Sequence, residues 1–166
     1  MRTVLYLGLS VNGLITQANE THQVPPEILR DFAQRIQQAG NVVVGRRTFK
    51  LMIAQAQGAI PGVELVVVTR SGLKVDGTAT AASPQEALEL LERKGYETAL
   101  VGGGAALDAS FLSHGLVDEI RLNVESILSS DGLPLDFDSG PATDLRLIDT
   151  RKLSESVVQL RYEVRR

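Results

Sequence analysis

Short apolar runs that could each form a buried strand recur along the chain. Each is four to seven residues long, rich in valine and leucine, and closed by glycine or polar residues, a pattern typical of strands covered on both faces. They lie at 3–9, 41–45, 64–69 and 98–101. Between these runs, apolar positions at helical spacing predict one helix after Pro25-Pro26 that stops at Gly40, and another after Ser83-Pro84 that stops at Gly95. The alternation favours a largely parallel sheet with helices against it.

The pattern changes after the fourth run. Three glycines, 102–104, precede a short helical pattern over 107–112, and three further strand candidates then follow without a helix between them, at 117–127, 143–150 and 157–164. Within the last of these, apolar and polar residues alternate, as in a half-exposed strand. Successive strands of this kind indicate an antiparallel hairpin. We therefore expect one α/β domain over residues 1–166 with a mixed sheet.

Composition narrows the classes of protein. A net charge of −3 with dispersed basic residues argues against a nucleic-acid surface, and the absence of cysteine excludes disulfides and thiolate metal sites. The two histidines are isolated, so we expect no metal site. The first apolar run is too short to be a signal peptide or to span a membrane. A cytoplasmic protein without membrane contact is the resulting expectation.

The glycine triplet is the most informative motif. Glycines between a strand and a helix let the chain turn sharply and allow close approach to the main chain, and free N–H groups at the helix start favour an anion such as phosphate. Leu107 stands where the Rossmann fingerprint needs its last glycine, and no P-loop lysine follows. Taken alone, the triplet fits a phosphate-binding turn or a purely structural one equally well.

Five segments in register resemble the dihydrofolate reductase fold family, and most closely its branch with the reductase domain of bacterial riboflavin-biosynthesis deaminase/reductase proteins. The segments are 10–15, 44–49, 67–70, 101–104 and 115–119. The resemblance implies a three-layer α/β/α fold with a mixed, mostly parallel central sheet and a C-terminal antiparallel hairpin. It also implies NADPH as the cofactor and a homodimer.

The resemblance further implies which residues bind NADPH. The glycine turn would donate its main-chain N–H groups to the pyrophosphate, a second helix start would bind phosphate, and Arg70 would bind the adenosine 2′-phosphate. Arginine suits that last task because its guanidinium can meet phosphate with two parallel hydrogen bonds. The implied cofactor residues are Gly45, Arg46, Thr48, Thr69, Arg70, Ser71, Gly102, Gly103, Gly104 and Ala105.

The substrate end departs from the family pattern. Asn12 replaces a common aspartate, Gly102 replaces the glutamate of riboflavin-pathway reductases, and Ile28 replaces the acid with which folate reductases bind pterin. Ser10, Ile15, Ile28 and Phe32 are the predicted substrate-binding residues. The candidate catalytic residues are Asn12, Glu27 and Asp31: Asn12 can orient a substrate, whereas either acid could deliver a proton if partial burial raised its pKa.

These features together predict an NADPH-dependent reductase that transfers a hydride to a small heterocycle, resembling the 5-amino-6-(5-phosphoribosylamino)uracil reductase of riboflavin biosynthesis. A dihydrofolate or pterin reductase is one alternative, which Ile28 disfavours. A nucleotide-binding protein of the same fold without catalysis is the other.

Overall fold

A computed structural model describes residues 1–16, 22–56, 60–72, 77–137 and 142–166. Strands and helices alternate through the first two thirds of the chain, as the hydrophobic pattern predicts. The strands are β1 Arg2–Ser10, β2 Leu14–Ile15, β3 Asn41–Gly45, β4 Glu64–Val68, β5 Ala79–Ala81, β6 Thr98–Val101, β7 Glu119–Glu125, β8 Leu133–Pro134, β9 Leu145–Lys152 and β10 Val157–Val164. The helices are α1 Pro26–Ala39, α2 Arg46–Ala56, α3 Pro84–Arg93 and α4 Ala105–Ser113.

The strands form one mixed sheet. Its order is β5-β4-β3-β6-β1-β7-β10-β9, while β2 and β8 pair with each other beside the end of β1. The pairs from β5 to β7 are all parallel. Strand β10 is antiparallel to both β7 and β9. The predicted parallel sheet with a C-terminal antiparallel hairpin is confirmed.

Helices cover both faces of the sheet, which confirms the three-layer architecture. On one face, α1 and α2 contribute Ile28, Ile36 and Phe49 to a cluster with alternate residues of the central strands. On the other face, α3 and α4 contribute Leu91 and Phe111 to the second cluster. Central strands buried on both sides account for the unbroken valine runs in the sequence. Within the described residues, no helix is long and apolar enough to cross a membrane.

Helix α2 begins at Arg46, directly after β3, so Thr48 is its third residue. Strands β2, β5 and β8 are two or three residues long and were not predicted. Segments this short contain too few residues to show a hydrophobic periodicity. Their pairing depends on the neighbouring strand.

A buried polar network fastens α1 to the sheet through Asp31. The Asp31 carboxylate accepts hydrogen bonds from the Tyr6 hydroxyl at 3.0 Å and from Gln159 Nε2 at 2.8 Å. Its other oxygen accepts from Arg35 at 3.1 Å and from Arg151. Asp31 is only 7% exposed, so this network satisfies a charge inside the protein.

The network determines the ionisation of Asp31. Burial is the largest effect and opposes the charged form, but the hydrogen bonds from Gln159, Arg151, Arg35 and Tyr6 together outweigh it and lower the pKa of Asp31 to about 2. The condition under which Asp31 could deliver a proton, a pKa raised by burial, is therefore not met. Asp31 remains ionised at neutral pH and ties α1 to strands β1, β9 and β10.

Replacing Asp31 with asparagine should destabilise the protein by at least about 2 kcal/mol at pH 7. A carboxyl whose pKa is lowered on folding stabilises the protein above its unfolded pKa, and this contribution is lost as the pH falls. The difference between wild type and Asp31→Asn should therefore shrink below about pH 4 and vanish near pH 2. Urea unfolding at several pH values measures it.

The matched control for this variant is Asp144→Asn, since Asp144 is exposed and its side chain takes no part in the network. A stability difference for Asp31→Asn that does not change with pH would contradict the assigned ionisation.

Candidate active site

A cleft of about 920 Å³ opens where the parallel strands end. In a sheet of this type, ligands bind beyond the carboxyl ends of the strands. Apolar residues of β2, α1 and α2 form most of the wall, among them Ile15, Ile28, Leu29, Phe32, Leu51 and Met52. The polar lining residues are Tyr6, Thr16, His22, Gln23, Thr48, Asp108 and Glu125, and the glycine turn closes one side with Gly102 and Gly103. Apolar walls with a few polar groups are typical of a small-molecule site.

The glycine turn is bonded to the neighbouring strand. Gly102 N–H donates to Val43 O at 2.9 Å, and Gly45 N–H donates to Gly103 O at 2.8 Å. These bonds hold the turn between β6 and α4 against the end of β3, where α2 begins. They also correct one expectation, because the Gly102 N–H is already occupied and is not a donor for a ligand.

The other N–H groups of the turn fit the anion cradle that the sequence predicts. Helix α4 starts at Ala105 and its cap residue Gly104 has no side chain. Within the described residues, the N–H groups of Gly103, Gly104 and Ala105 have no main-chain acceptor, as is general for the first amides of a helix. Such a helix start attracts a phosphate.

Glycine is required at two positions of the turn for different reasons. Gly103 has φ +93°, a backbone conformation that other residues rarely adopt. A Cβ atom at Gly102 would lie 2.4 Å from Cζ of Phe32. The Phe32 ring therefore occupies the space in which a side chain at position 102 would stand, and it packs against Tyr6 with ring centroids 4.9 Å apart.

The residues predicted to bind the 2′-phosphate lie beside the first residue of α2. Arg46, the first residue of α2, donates from Nη1 to Ser71 Oγ at 3.4 Å, and the hydroxyl groups of Thr69 and Ser71 are 2.9 Å apart. Arg70 stands between them in sequence and is exposed. The group lies outside the cleft lining, beside the end of β4.

The predicted substrate residues divide into two groups. Ile15, Ile28 and Phe32 line the cleft, whereas Ser10 and Asn12 do not. Asn12 Oδ1 accepts from Ser10 Oγ and from the main chain of Ser129, and its Nδ2 donates to Ser129 O at 2.8 Å. Asn12 thus connects the turn after β1 to the segment before β8, and its amide has structural partners.

The two predicted acids also lie outside the cleft lining. Glu27 Oε1 accepts a hydrogen bond from Ser154 Oγ at 2.6 Å, which is the main reason that its pKa is lowered. Glu27, like Asp31, thus lacks the raised pKa that delivery of a proton would require. Neither carboxyl is held in the protonated state at neutral pH.

Sequence reasoning missed a carboxylate that does line the cleft. Glu125, the last residue of β7, is 3% exposed and lines the cleft. It accepts a hydrogen bond from the Thr16 hydroxyl, and its Oε2 lies 3.2 Å from Nε2 of His22. An acid at the carboxyl end of a central parallel strand is a usable signal, but Glu125 fell inside a run read as one long strand.

A second missed residue is Asp108 on α4. It is 1% exposed and borders the cleft beside Gly103. Its position in the sequence was informative, because it lies among Leu107, Phe111 and Leu112 on the apolar side of a short helix. A carboxyl at such a position is costly unless it has a partner or stays neutral.

Comparison with known proteins places the chain in a family. The family model of the RibD C-terminal domain matches residues 3–159 of this chain. A protein of Bacillus subtilis strain 168, the uncharacterised YyaP, is 26% identical over 97% of this chain and 94% of its own length.

Solved structures share the fold at low sequence identity. A protein of Shewanella sp. PV-4 named for riboflavin biosynthesis superposes with a TM-score of 0.78 at 18% identity over the full length of both chains. A pyrimidine reductase-like protein of Corynebacterium diphtheriae has a TM-score of 0.75 at 15% identity, over 99% of this chain and 92% of its own. RibD of Acinetobacter baumannii has a TM-score of 0.76 at 18% identity, and the match covers 58% of that longer protein. The chain belongs to the RibD C-terminal domain family.

Proposed function

We propose that this protein is an NADPH-dependent reductase that transfers a hydride to a flat heterocycle held in the cleft. The observation that carries the proposal is the glycine turn, which borders a largely apolar cleft through Gly102 and Gly103 in a chain of the RibD C-terminal domain family. NADPH, when bound, supplies the hydride. The 5-amino-6-(5-phosphoribosylamino)uracil of riboflavin biosynthesis is the first acceptor to test.

The chain offers a fitting surface for each part of the cofactor. The amides of Gly103, Gly104 and Ala105 would hold the pyrophosphate, and Thr48 reaches the same cleft from the first turn of α2. Arg46 and Arg70, with the nearby hydroxyl groups, would hold the 2′-phosphate. The apolar wall formed by Ile28 and Phe32 would then pack against the acceptor.

Arg70→Ala should weaken NADPH binding by about 1.5–3 kcal/mol and leave NADH binding nearly unchanged, since only NADPH carries the 2′-phosphate. Fluorescence titration of NADPH and of NADH into wild type and into Arg70→Ala measures the dissociation constants. Arg93→Ala is the matched control, because Arg93 is an exposed arginine of α3 away from Arg70. Equal losses for NADPH and NADH would remove the 2′-phosphate role.

Reduction of a C=N or C=O group also needs a proton. We propose His22 as its source, because it lies in the cleft at ion-pair distance from a buried carboxylate that can orient its ring. Glu125 would act as the positioning residue, held in turn by the Thr16 hydroxyl. The hydride would add to the carbon of the double bond, and the electron pair of that bond would move to the nitrogen or oxygen. That atom would then take a proton from His22.

His22→Gln should lower kcat with the riboflavin-pathway pyrimidine by about 10²-fold while leaving NADPH affinity nearly unchanged. The chain has one other histidine, His114 at the end of α4, so His114→Gln is the matched control. An unchanged kcat in His22→Gln would exclude the role.

We also propose a homodimer, as expected of the riboflavin branch. Leu145 and Leu147 on the edge strand β9 are 42% and 53% exposed and form the apolar surface for it. Val157, the first residue of β10, is buried at 2% exposure and adds nothing to this surface.

Leu147→Lys should convert the dimer to monomer at micromolar concentration, because a charge would replace an apolar contact. Light scattering decides the state, with Leu128→Lys as the control at an exposed leucine outside β9. A wild-type protein that is only monomeric would contradict the proposal.

A further inference from the structure

Asp108 is the one acid of the described cleft lining with a buried carboxyl oxygen that has no hydrogen-bond partner. Its Oδ1 is buried and has no hydrogen-bond partner among the described residues. By contrast, the buried Asp31 accepts four hydrogen bonds, and Glu125 accepts one from the Thr16 hydroxyl and lies 3.2 Å from His22. A buried carboxyl without a partner is unfavourable, so its position calls for a ligand or for protonation.

The surroundings of Asp108 combine an anion cradle with an apolar wall. Its Oδ2 lies 3.6 Å from the point where a Cβ of Gly103 would stand, so the carboxyl faces the turn whose free amides attract a phosphate. Helix α4 packs against β3 and α3, whose Val43, Ala87 and Leu91 belong to the same apolar cluster as its own Leu107 and Phe111. The other titratable groups that line the cleft are Tyr6, His22 and Glu125.

We propose that Asp108 binds the cofactor as a neutral acid, donating a hydrogen bond from its protonated carboxyl to an anionic oxygen held at the glycine turn. The inference rests on the proposed function, because it takes the pyrophosphate of NADPH as the ligand of that turn. Binding is then linked to a proton: the protonated carboxyl donates, whereas an ionised one would repel the phosphate.

Burial favours the same protonation state. It is the only resolved cause that shifts the pKa of Asp108, and it raises this pKa well above the usual range for an aspartate. Cofactor affinity should therefore be highest at low pH and should decrease once the pH rises through the pKa of this carboxyl. The opposite dependence is expected of an ionised Asp108 that accepts a hydrogen bond from a ribose hydroxyl.

The test is titration of NADPH and NADH into the apoprotein from pH 6 to pH 9, for wild type, Asp108→Asn and Asp108→Leu. For wild type, the dissociation constants should increase by up to about tenfold per pH unit once the carboxyl ionises. Asp108→Asn keeps a donor and cannot ionise, so its affinity should match that of wild type at low pH and stay level as the pH rises. Asp108→Leu should bind about tenfold more weakly than wild type at low pH, since the donor is lost.

NADH separates this effect from titration of the 2′-phosphate, which has its own ionisation near pH 6. Asp149→Asn, an exposed acid on β9 at the far edge of the sheet, is the matched control and should follow wild type. Thermal melting verifies that each variant is folded.

Equal pH dependence of binding in wild type and Asp108→Asn would overturn the role of Asp108 and leave the proposed reductase intact. The same holds for an affinity that rises with pH in wild type alone. No binding of either cofactor by any variant would overturn the proposed function and this inference together.

Discussion

The pair of main-chain hydrogen bonds between the glycine turn and β3 is the constraint on which the candidate site depends. Gly102 N–H donates to Val43 O and Gly45 N–H donates to Gly103 O, so the starts of α2 and α4 are held beside each other at one edge of the sheet. Two helix N-termini at this edge concentrate free amides and positive dipole ends there. Without these bonds the glycine turn would not be fixed against the end of β3.

Local environment, more than residue type, separates the carboxyl groups of this protein into different roles. Asp31 is buried with four donors around it and is ionised, which makes it a fastening between helix and sheet. Asp108 is more deeply buried, and its Oδ1 has no donor among the described residues, so the neutral form is favoured. Glu125 is oriented by Thr16 and lies beside His22. The two acids that face the cleft were not among the sequence candidates, and those candidates have structural partners elsewhere.

The substrate end shows how the chain accommodates its departure from riboflavin-pathway reductases. A side chain at position 102 is excluded because the Phe32 ring occupies that space, and Phe32 in turn packs on Tyr6. At this point of the cleft the wall is therefore the apolar ring of Phe32 and not a side chain of residue 102. The acids of the described cleft lining are Glu125 and Asp108, and the walls around them are largely apolar.

Elements whose sequences show a strong hydrophobic periodicity were determined by the sequence itself. Valine runs, the helix starts at Pro26 and Pro84 and the glycine stops predicted the central strands, the helices and the C-terminal hairpin, because burial on one or both faces imposes those patterns directly. The glycine turn could be recognised for the same local reason. Only the tertiary structure decided which polar groups meet: Asp31 is bonded by Gln159, which is 128 residues away, and Glu125 by Thr16, which is 109 residues away. Ionisation and access to the cleft depend on such distant neighbours, so no local pattern in the chain could predict them.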